Sequence, residues 1–164
     1  MTAAPNAPPQ VFGNVDDAIR WLRTRGLRLS TARRLLLEAL FAAPAPTSAA
    51  RLARSLSLEE SSVYRNLELL EHNGLVRHIH LGHSPGLYAL TSDHELEYLY
   101  CDRCARVTAV SPDSLDPVRE HIQSEFGYVP SFTHFALVGT CEECAVGQAP
   151  AHPHTHPAPR KSAH

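Results

Sequence analysis

An α+β fold is predicted from three features of this 164-residue sequence. Four capped segments of helical period lie between residues 14 and 73, and the period switches to alternation over residues 75–90. A second, shorter mixed stretch then holds all four cysteines in two C-x-x-C pairs. Hydrophobic residues make up 43% and charged residues 20%, enough apolar material for a core and too much for wholesale disorder.

Residues 1–13 are rich in Pro and Ala and read as a flexible arm. Asn14 can cap a helix through VDDAIRWLRTR that stops at Gly26, with Val15, Ile19 and Leu22 on one apolar face. Ser30 can cap TARRLLLEALFAA, where Leu35, Leu36, Leu40 and Ala43 share helical spacing, and Pro44 and Pro46 end it. Thr47 can cap a short helix, SAARLARSL. Ser57 and Glu60 have the form of a capping box that opens a helix through SSVYRNLELLEHN, closed by Gly74, with an edge formed by Val63, Leu67, Leu70 and Glu71. LVRHIH then alternates like a strand, GHSPG is a turn, and LYAL returns as a second strand. Helices followed by a β-hairpin are the layout of a winged helix-turn-helix, with the helix near 60–73 in the major groove, the helix at 47–56 bracing it and the hairpin as wing. This assigns residues 14–90 to one domain.

Residues 91–148 read as a second domain: EYLYC and ARVTAV as strands, SLDPVREHIQSEF as a helix with Pro117 in its first turn, and SFTHFALVG as a further strand. A unit of this size needs a staple. Cys101, Cys104, Cys141 and Cys144 supply one: two C-x-x-C knuckles with no spare cysteine suit tetrahedral Zn²⁺, whose saturated thiolate shell leaves no open position for chemistry. A redox dithiol switch and a pair of disulfides are the rival readings of the same residues. Residues 149–164 are Pro/His-rich, and their histidines (His152, His154, His156 and His164) are expected in a disordered tail.

The net charge of −2 argues against a nucleic-acid partner only until it is divided. Residues 1–90 carry ten Arg and seven acids, whereas residues 91–164 carry five basic residues and ten acids. Within residues 20–54, Arg20, Arg23, Arg25, Arg28, Arg33, Arg34, Arg51 and Arg54 face one acid, Glu38. That is the footprint of a phosphate-contacting surface, or of a solvated arginine-rich helix face. No stretch approaches the ~18–20 apolar residues of a membrane span, and MTAAPNAPPQ lacks the layout of a secretory signal. A cytoplasmic setting without a membrane partner is expected.

The stretches GLRLSTARRLLLEAL, SSVYRNLELLEHNGLV and CDRC with GTCEEC, together spanning roughly residues 16–145, resemble the ferric uptake regulator (Fur) family of metal-dependent bacterial repressors. RHIHLGHSPGLYAL and THFALVGTC look most like its nickel-responsive (Nur) actinobacterial branch. The resemblance implies a homodimer with an N-terminal winged helix-turn-helix domain and a small α/β dimerisation domain with a four-cysteine zinc site. It also implies repression of metal-uptake or oxidative-stress genes through double-stranded DNA bearing an AT-rich palindromic operator. Carried over, Tyr64 and Arg65 fall where the recognition helix meets bases and backbone, and Arg28 where a basic residue reaches the minor groove. Ser61 and Ser62 join them as candidate DNA contacts. A Tyr ring suits a thymine methyl, and Arg suits guanine, phosphate or a narrow A·T minor groove, although a core Tyr and a solvated Arg are the ordinary alternatives.

His78 and His80, two apart in a strand, present both imidazoles to one side, a two-ligand donor for Ni²⁺, Zn²⁺ or Fe²⁺. The resemblance places His134 where the nickel-responsive branch completes such a site, and His83 and His94 lie nearby in sequence. Family members usually carry a His-rich run before the first knuckle. Here it reads His94-Glu95-Leu96-Glu97-Tyr98, and Ala89 stands where a glutamate is common. The usual hinge metal site is therefore absent or rebuilt; His94, Glu95, Glu97 and Asp116 could form an oxygen-rich replacement that favours Mn²⁺ or Fe²⁺. The leading reading is a metal-responsive repressor, not an enzyme. The alternatives are a peroxide or redox sensor that uses the four-cysteine zinc site or a metal-bound His, and a zinc-dependent enzyme. Against the last stands the absence of any Ser/His/Asp or H-E-x-x-H pattern.

Overall fold

The computed structural model describes residues 7–81, 84–92, 95–132 and 135–147. Helix α1 (Val15–Thr24) starts where Asn14 Oδ1 accepts the Asp17 N–H at 2.9 Å, and α2 (Thr31–Ala42) where Ser30 Oγ accepts the Arg33 N–H at 3.2 Å. Both caps agree with the sequence reading. The buried positions of α2 are Leu36, Leu37 and Leu40, so the core stripe is rotated by one residue from the expected one and Leu35 is only half-buried.

The next two caps differ from expectation. Thr47–Ser48 form a two-residue strand, β1, and the cap of α3 (Ala49–Leu56) passes to Ser48, whose Oγ accepts the Arg51 N–H at 3.2 Å. Thr47 is committed instead to pairing with Tyr88. Ser57 does not open the following helix. It closes α3 in the left-handed region, at φ 53° and ψ 44°, and α4 (Glu60–His72) begins after Glu59 without a side-chain cap. Three residues separate the two helices, too few for Ser57 to serve the second.

Gly74, at φ +78°, turns the chain out of α4; a Cβ there would sit 2.3 Å from the Pro8 carbonyl oxygen. The described part of the N-terminal arm crosses here. Gln10 N–H donates to the Gly74 carbonyl at 2.9 Å, and Phe12 packs on Trp21 with ring centroids 5.8 Å apart. Strands β2 (Val76–Leu81) and β3 (Ser84–Leu90) follow as an antiparallel pair, and β1 adds to β3. The second sheet has the order β5-β4-β6, formed by β4 (Glu97–Cys101), β5 (Val107–Val110) and β6 (Leu137–Gly139), with β6 parallel to β4. A 3-10 turn (Pro112–Leu115) leads into α5 (Asp116–Phe126), which holds Pro117 in its first turn. A short helix, α6 (Glu142–Ala145), carries the last cysteine. Among the described residues, the strand expected through SFTHFALVG is shorter, confined to β6 and an isolated parallel bridge between Phe135 and His80.

Alternation along β2 and β3 places them between two apolar clusters. Val76 and Tyr88 join Leu22, Leu36, Leu37, Val63, Leu67 and Leu70 in the helical core. Ile79, Leu81 and Leu87 face the other way and pack with Tyr98 and Ala136 of the second unit. Each fully buried Leu contributes ~1.5–3 kcal/mol relative to an exposed one, so the helical cluster dominates the stability of the N-terminal half.

Candidate functional site

The four cysteines converge from three places: the end of β4 (Cys101), the turn after it (Cys104) and the start of α6 (Cys141 and Cys144). Their sulfurs lie within 4.8 Å of one another, the one such cluster of metal-ligand type among the described residues. Cys104 Sγ and Cys141 Sγ are 3.8 Å apart, the edge of a tetrahedron with Zn–S bonds of ~2.3 Å. The backbone shapes the knuckle. Ala105 takes φ +58° and donates its N–H to Cys101 O at 2.9 Å, and Asp102 N–H donates to Gly139 O at 2.9 Å, tying the first knuckle to β6. Arg106 pairs with Glu143 through both guanidinium nitrogens, with Nη1 at 3.0 Å from Oε1, and links the second knuckle to the first.

The electrostatics are those of a cation site. Burial pushes the Cys101 thiol up, but N–H groups of Cys141, Cys104 and Arg103 directed at its sulfur more than offset this and bring it to about 6. Burial and the three neighbouring sulfurs push Cys144 to about 12. Four thiols this close cannot all ionise without a positive ion among them, and Zn²⁺ would supply that charge.

His78 and His80 project from the same face of β2, with ring centroids 4.4 Å apart. The His78 ring stacks on Tyr88 at 4.6 Å, nearly parallel, and its Nε2 is buried without a hydrogen-bond partner among the described residues. The cradle is tight: a Cβ on Gly86 would lie 1.8 Å from that nitrogen. Burial and the neighbouring His80 both lower the His78 pKa, favouring the neutral imidazole that ligates metals. His80 is pinned from the other unit, because its carbonyl accepts the Ala136 N–H at 3.1 Å and its ring lies 5.6 Å from Phe135. His134, His83 and His94 lie outside the described residues.

The acidic candidates are arranged differently. Glu97 is 2% exposed and forms an ion pair with Arg119, which also bonds Asp116 at 2.9 Å and Pro112 O at 2.7 Å. A guanidinium therefore lies between the two carboxylates. Glu95 lines a cavity of about 320 Å³ shared with Glu71, Arg77, His78 and Thr91. Leu96 and Tyr98 also meet a cation, since Arg77 Nη2 donates to Leu96 O at 3.3 Å and to Tyr98 Oη at 2.7 Å. Leu96 and Tyr98 offer no ordinary ligand, and Arg119 holds Glu97 Oε1 and Asp116, while Glu97 Oε2 is buried without a hydrogen-bond partner among the described residues.

On the opposite side, α4 exposes Ser61 and Arg65, with Ser62 half-exposed. Arg65 Nε donates to Ser61 O at 3.3 Å, which extends the guanidinium along the outer face of the helix. Tyr64 is half-buried and packs against the helical core. Arg28 is exposed, and its carbonyl accepts from Arg33, which also reaches Asn66 Oδ1 at 3.2 Å. Arg33 thus braces α2 against α4. Arg23, Arg28, Arg51 and Arg54 are exposed and form no ion pair with described residues, whereas Arg20 pairs with Asp17 and Arg34 with Glu38.

The roles of Arg77, Arg119 and Gly86 were missed in the sequence. Gly86 was read as the end of a turn; the structure places it inside β3, where a strand glycine marks close approach.

The ferric uptake regulator family model matches residues 24–136. The peroxide operon regulator of Bacillus subtilis is 25% identical over 135 residues, covering 79% of this chain and 92% of that protein. Among solved structures, the Helicobacter pylori ferric uptake regulator, described as having three functional metal-binding sites, superposes with a TM-score of 0.62 at 18% identity over 84% of this chain and 96% of that one. The Vibrio cholerae ferric uptake regulator gives 0.59 at 26% identity over 76% of this chain and all (100%) of that one. A family match over residues 24–136, most of the chain, makes this protein a member of the ferric uptake regulator family.

Proposed function

We propose that the chain is a homodimeric, metal-responsive DNA-binding repressor of the cytoplasm, with a regulatory rather than an enzymatic role. The observation that carries this reading is the construction of β2. The strand leaves α4 through Gly74 and Leu75, whose N–H bonds Leu70 O at 3.0 Å, so the helix that exposes Arg65 and the strand that holds His78 and His80 move as one body. Metal bound to His78 and His80, with His134 supplied by the segment whose neighbour Phe135 bridges His80, would tie that body to the second unit. Such a metal shifts the population only to the extent that it binds the DNA-competent arrangement more tightly.

The residues divide the work. Arg65, Arg28, Ser61, Ser62 and the edge of Tyr64 meet DNA, and Cys101, Cys104, Cys141 and Cys144 hold a structural Zn²⁺. The proposed domains run 14–90 and 91–148, between an arm (1–13) and a tail (149–164). A partner copy is supported by α5, which buries none of its residues within the chain, and by Phe126, Tyr128 and Val129, each at least 70% exposed. The imidazole donors suit Ni²⁺, Zn²⁺ or Fe²⁺ alike, and Mn²⁺ only if carboxylates join them. Gel shifts with zinc-loaded protein, under chelation and with single-metal add-back, test the reading. Retention is expected with one added metal and should be lost in H78A/H80A at unchanged zinc content. A metal response that survives the double substitution would place the sensor elsewhere.

A peroxide-responsive repressor is the second reading. Two of the curated relatives, from Bacillus subtilis and Staphylococcus saprophyticus, are peroxide regulators by name. Release of zinc with disulfide formation under mild peroxide, in step with loss of DNA binding, would favour it.

A further inference from the structure

We infer that Arg77 is a positioning residue for operator recognition: its guanidinium is the latch that sets the angle between the winged unit and the second unit. The inference rests on the DNA-binding reading above. Residues 77, 79 and 81 share the outer face of β2, opposite His78 and His80. Ile79 and Leu81 give that face its apolar contact with Tyr98 and Ala136. Apolar contact is non-directional and permits sliding; Arg77 supplies direction. Its Nη2 bonds Tyr98 Oη at 2.7 Å and Leu96 O at 3.3 Å, and its guanidinium carbon lies 5.2 Å from the centre of the Tyr98 ring. All of these partners belong to β4 or the residue before it, and Tyr98 is itself buried.

The latch has a cost that shows it is not incidental. Arg77 Nε is buried and has no hydrogen-bond partner among the described residues. A half-buried guanidinium whose Nε is withdrawn from water without a partner stays there only when its other contacts hold it, and Tyr98 does so through both its hydroxyl and its ring. Lysine, a point charge without the planar fork, reproduces this only in part. Since β2 is continuous with α4, the orientation of Arg77 on β4 is passed to the recognition helix. In a dimer the same angle, applied twice, sets the separation of the two helices and hence the half-site spacing.

The test uses full-length, zinc-loaded protein and three DNA probes. These are a palindrome that the wild-type protein selects from random duplexes, one half-site of it, and the palindrome with its half-sites moved apart by one base pair. Arg77→Met is expected to lose about tenfold or more on the selected palindrome, in the range of ordinary coupling between sites. Its half-site binding should be unchanged, and it should discriminate less against the altered spacing. Tyr98→Phe should shift the same way, Arg77→Lys should recover part of the loss, and Arg77→Met with Tyr98→Phe should be no worse than the worse single change. X-ray scattering of the DNA-free variants should show a wider distance distribution at unchanged zinc content. A loss equal on palindrome and half-site, or wild-type spacing preference in Arg77→Met, overturns the inference. If the wild-type protein selects no duplex, the DNA-binding reading fails and scattering alone decides the latch: an unchanged profile in Arg77→Met overturns it.

Discussion

The two halves of the chain are stabilised in different ways. Among the described residues, the winged unit has a cluster of fifteen buried apolar residues drawn from four helices and the hairpin. Among the described residues, the second unit contributes Tyr98 and Ala136 as buried members of the other cluster, with the partly buried Leu96, Tyr100 and Val107, while Ile79, Leu81 and Leu87 belong to the wing. None of the residues of its helix α5 is fully buried within the chain. The first unit follows the usual physics of apolar burial. The second substitutes a four-cysteine cluster, the Glu97–Arg119 ion pair and exposed apolar surface at Phe126, Tyr128 and Val129. In the repressor proposed above, this asymmetry would let the winged unit act as a rigid body while a cation-dependent second unit sets its position.

The sharpest way to break the comparison is to remove zinc. Structural zinc in small peptides is worth ~10–16 kcal/mol, so stripping it with a chelator, or replacing Cys101 with Ser, should unfold residues 97–145 and leave the winged unit folded. Amide hydrogen exchange would show protection lost in β4–β6 and kept in α1–α4; equal loss in both would mean that the units are not separable. Next in size is Leu67→Ala. Leu67 is fully buried, and the substitution should cost ~2–5 kcal/mol in thermal or urea unfolding of the winged unit while zinc content is retained. Arg119→Met should destabilise the second unit because it strands the buried Glu97 carboxylate. Combining it with Glu97→Leu should restore part of the loss, and a double variant worse than the single one would show that the pair is not the reason. The smallest effect is Ser48→Ala, which removes the α3 cap at a cost of ~1 kcal/mol, whereas Thr47→Ala should cost less.

The site was partly legible in the sequence because its parts obey local rules. Two C-x-x-C pairs with no spare cysteine announce a four-sulfur cluster whatever lies between them, and an H-x-H in a strand puts two imidazoles on one face. Asn14 and Ser30 cap their helices by interactions that reach only three residues. Where a residue had a distant competitor, local reading failed. Thr47 pairs with Tyr88, about forty residues away, and so yields the cap to Ser48. The α2 stripe turned by one position to meet α4 and brought in Leu37.

By itself, then, the sequence determined the elements, their periods, the segregation of charge and the cysteine staple, all properties of neighbours along the chain. The departures at Leu96 and Tyr98 were also visible, as an absence of ligands. Only the tertiary structure decided what fills the hinge instead. Arg77 lies about twenty residues before Tyr98 and Arg119 about twenty after Glu97, and no spacing rule joins them. Arg77 and Arg119 are partly withdrawn from water, and each is held by a partner that meets it only in the folded chain, Tyr98 and Glu97, because burying the Glu97 carboxylate or the Arg77 Nε without such contacts is costly.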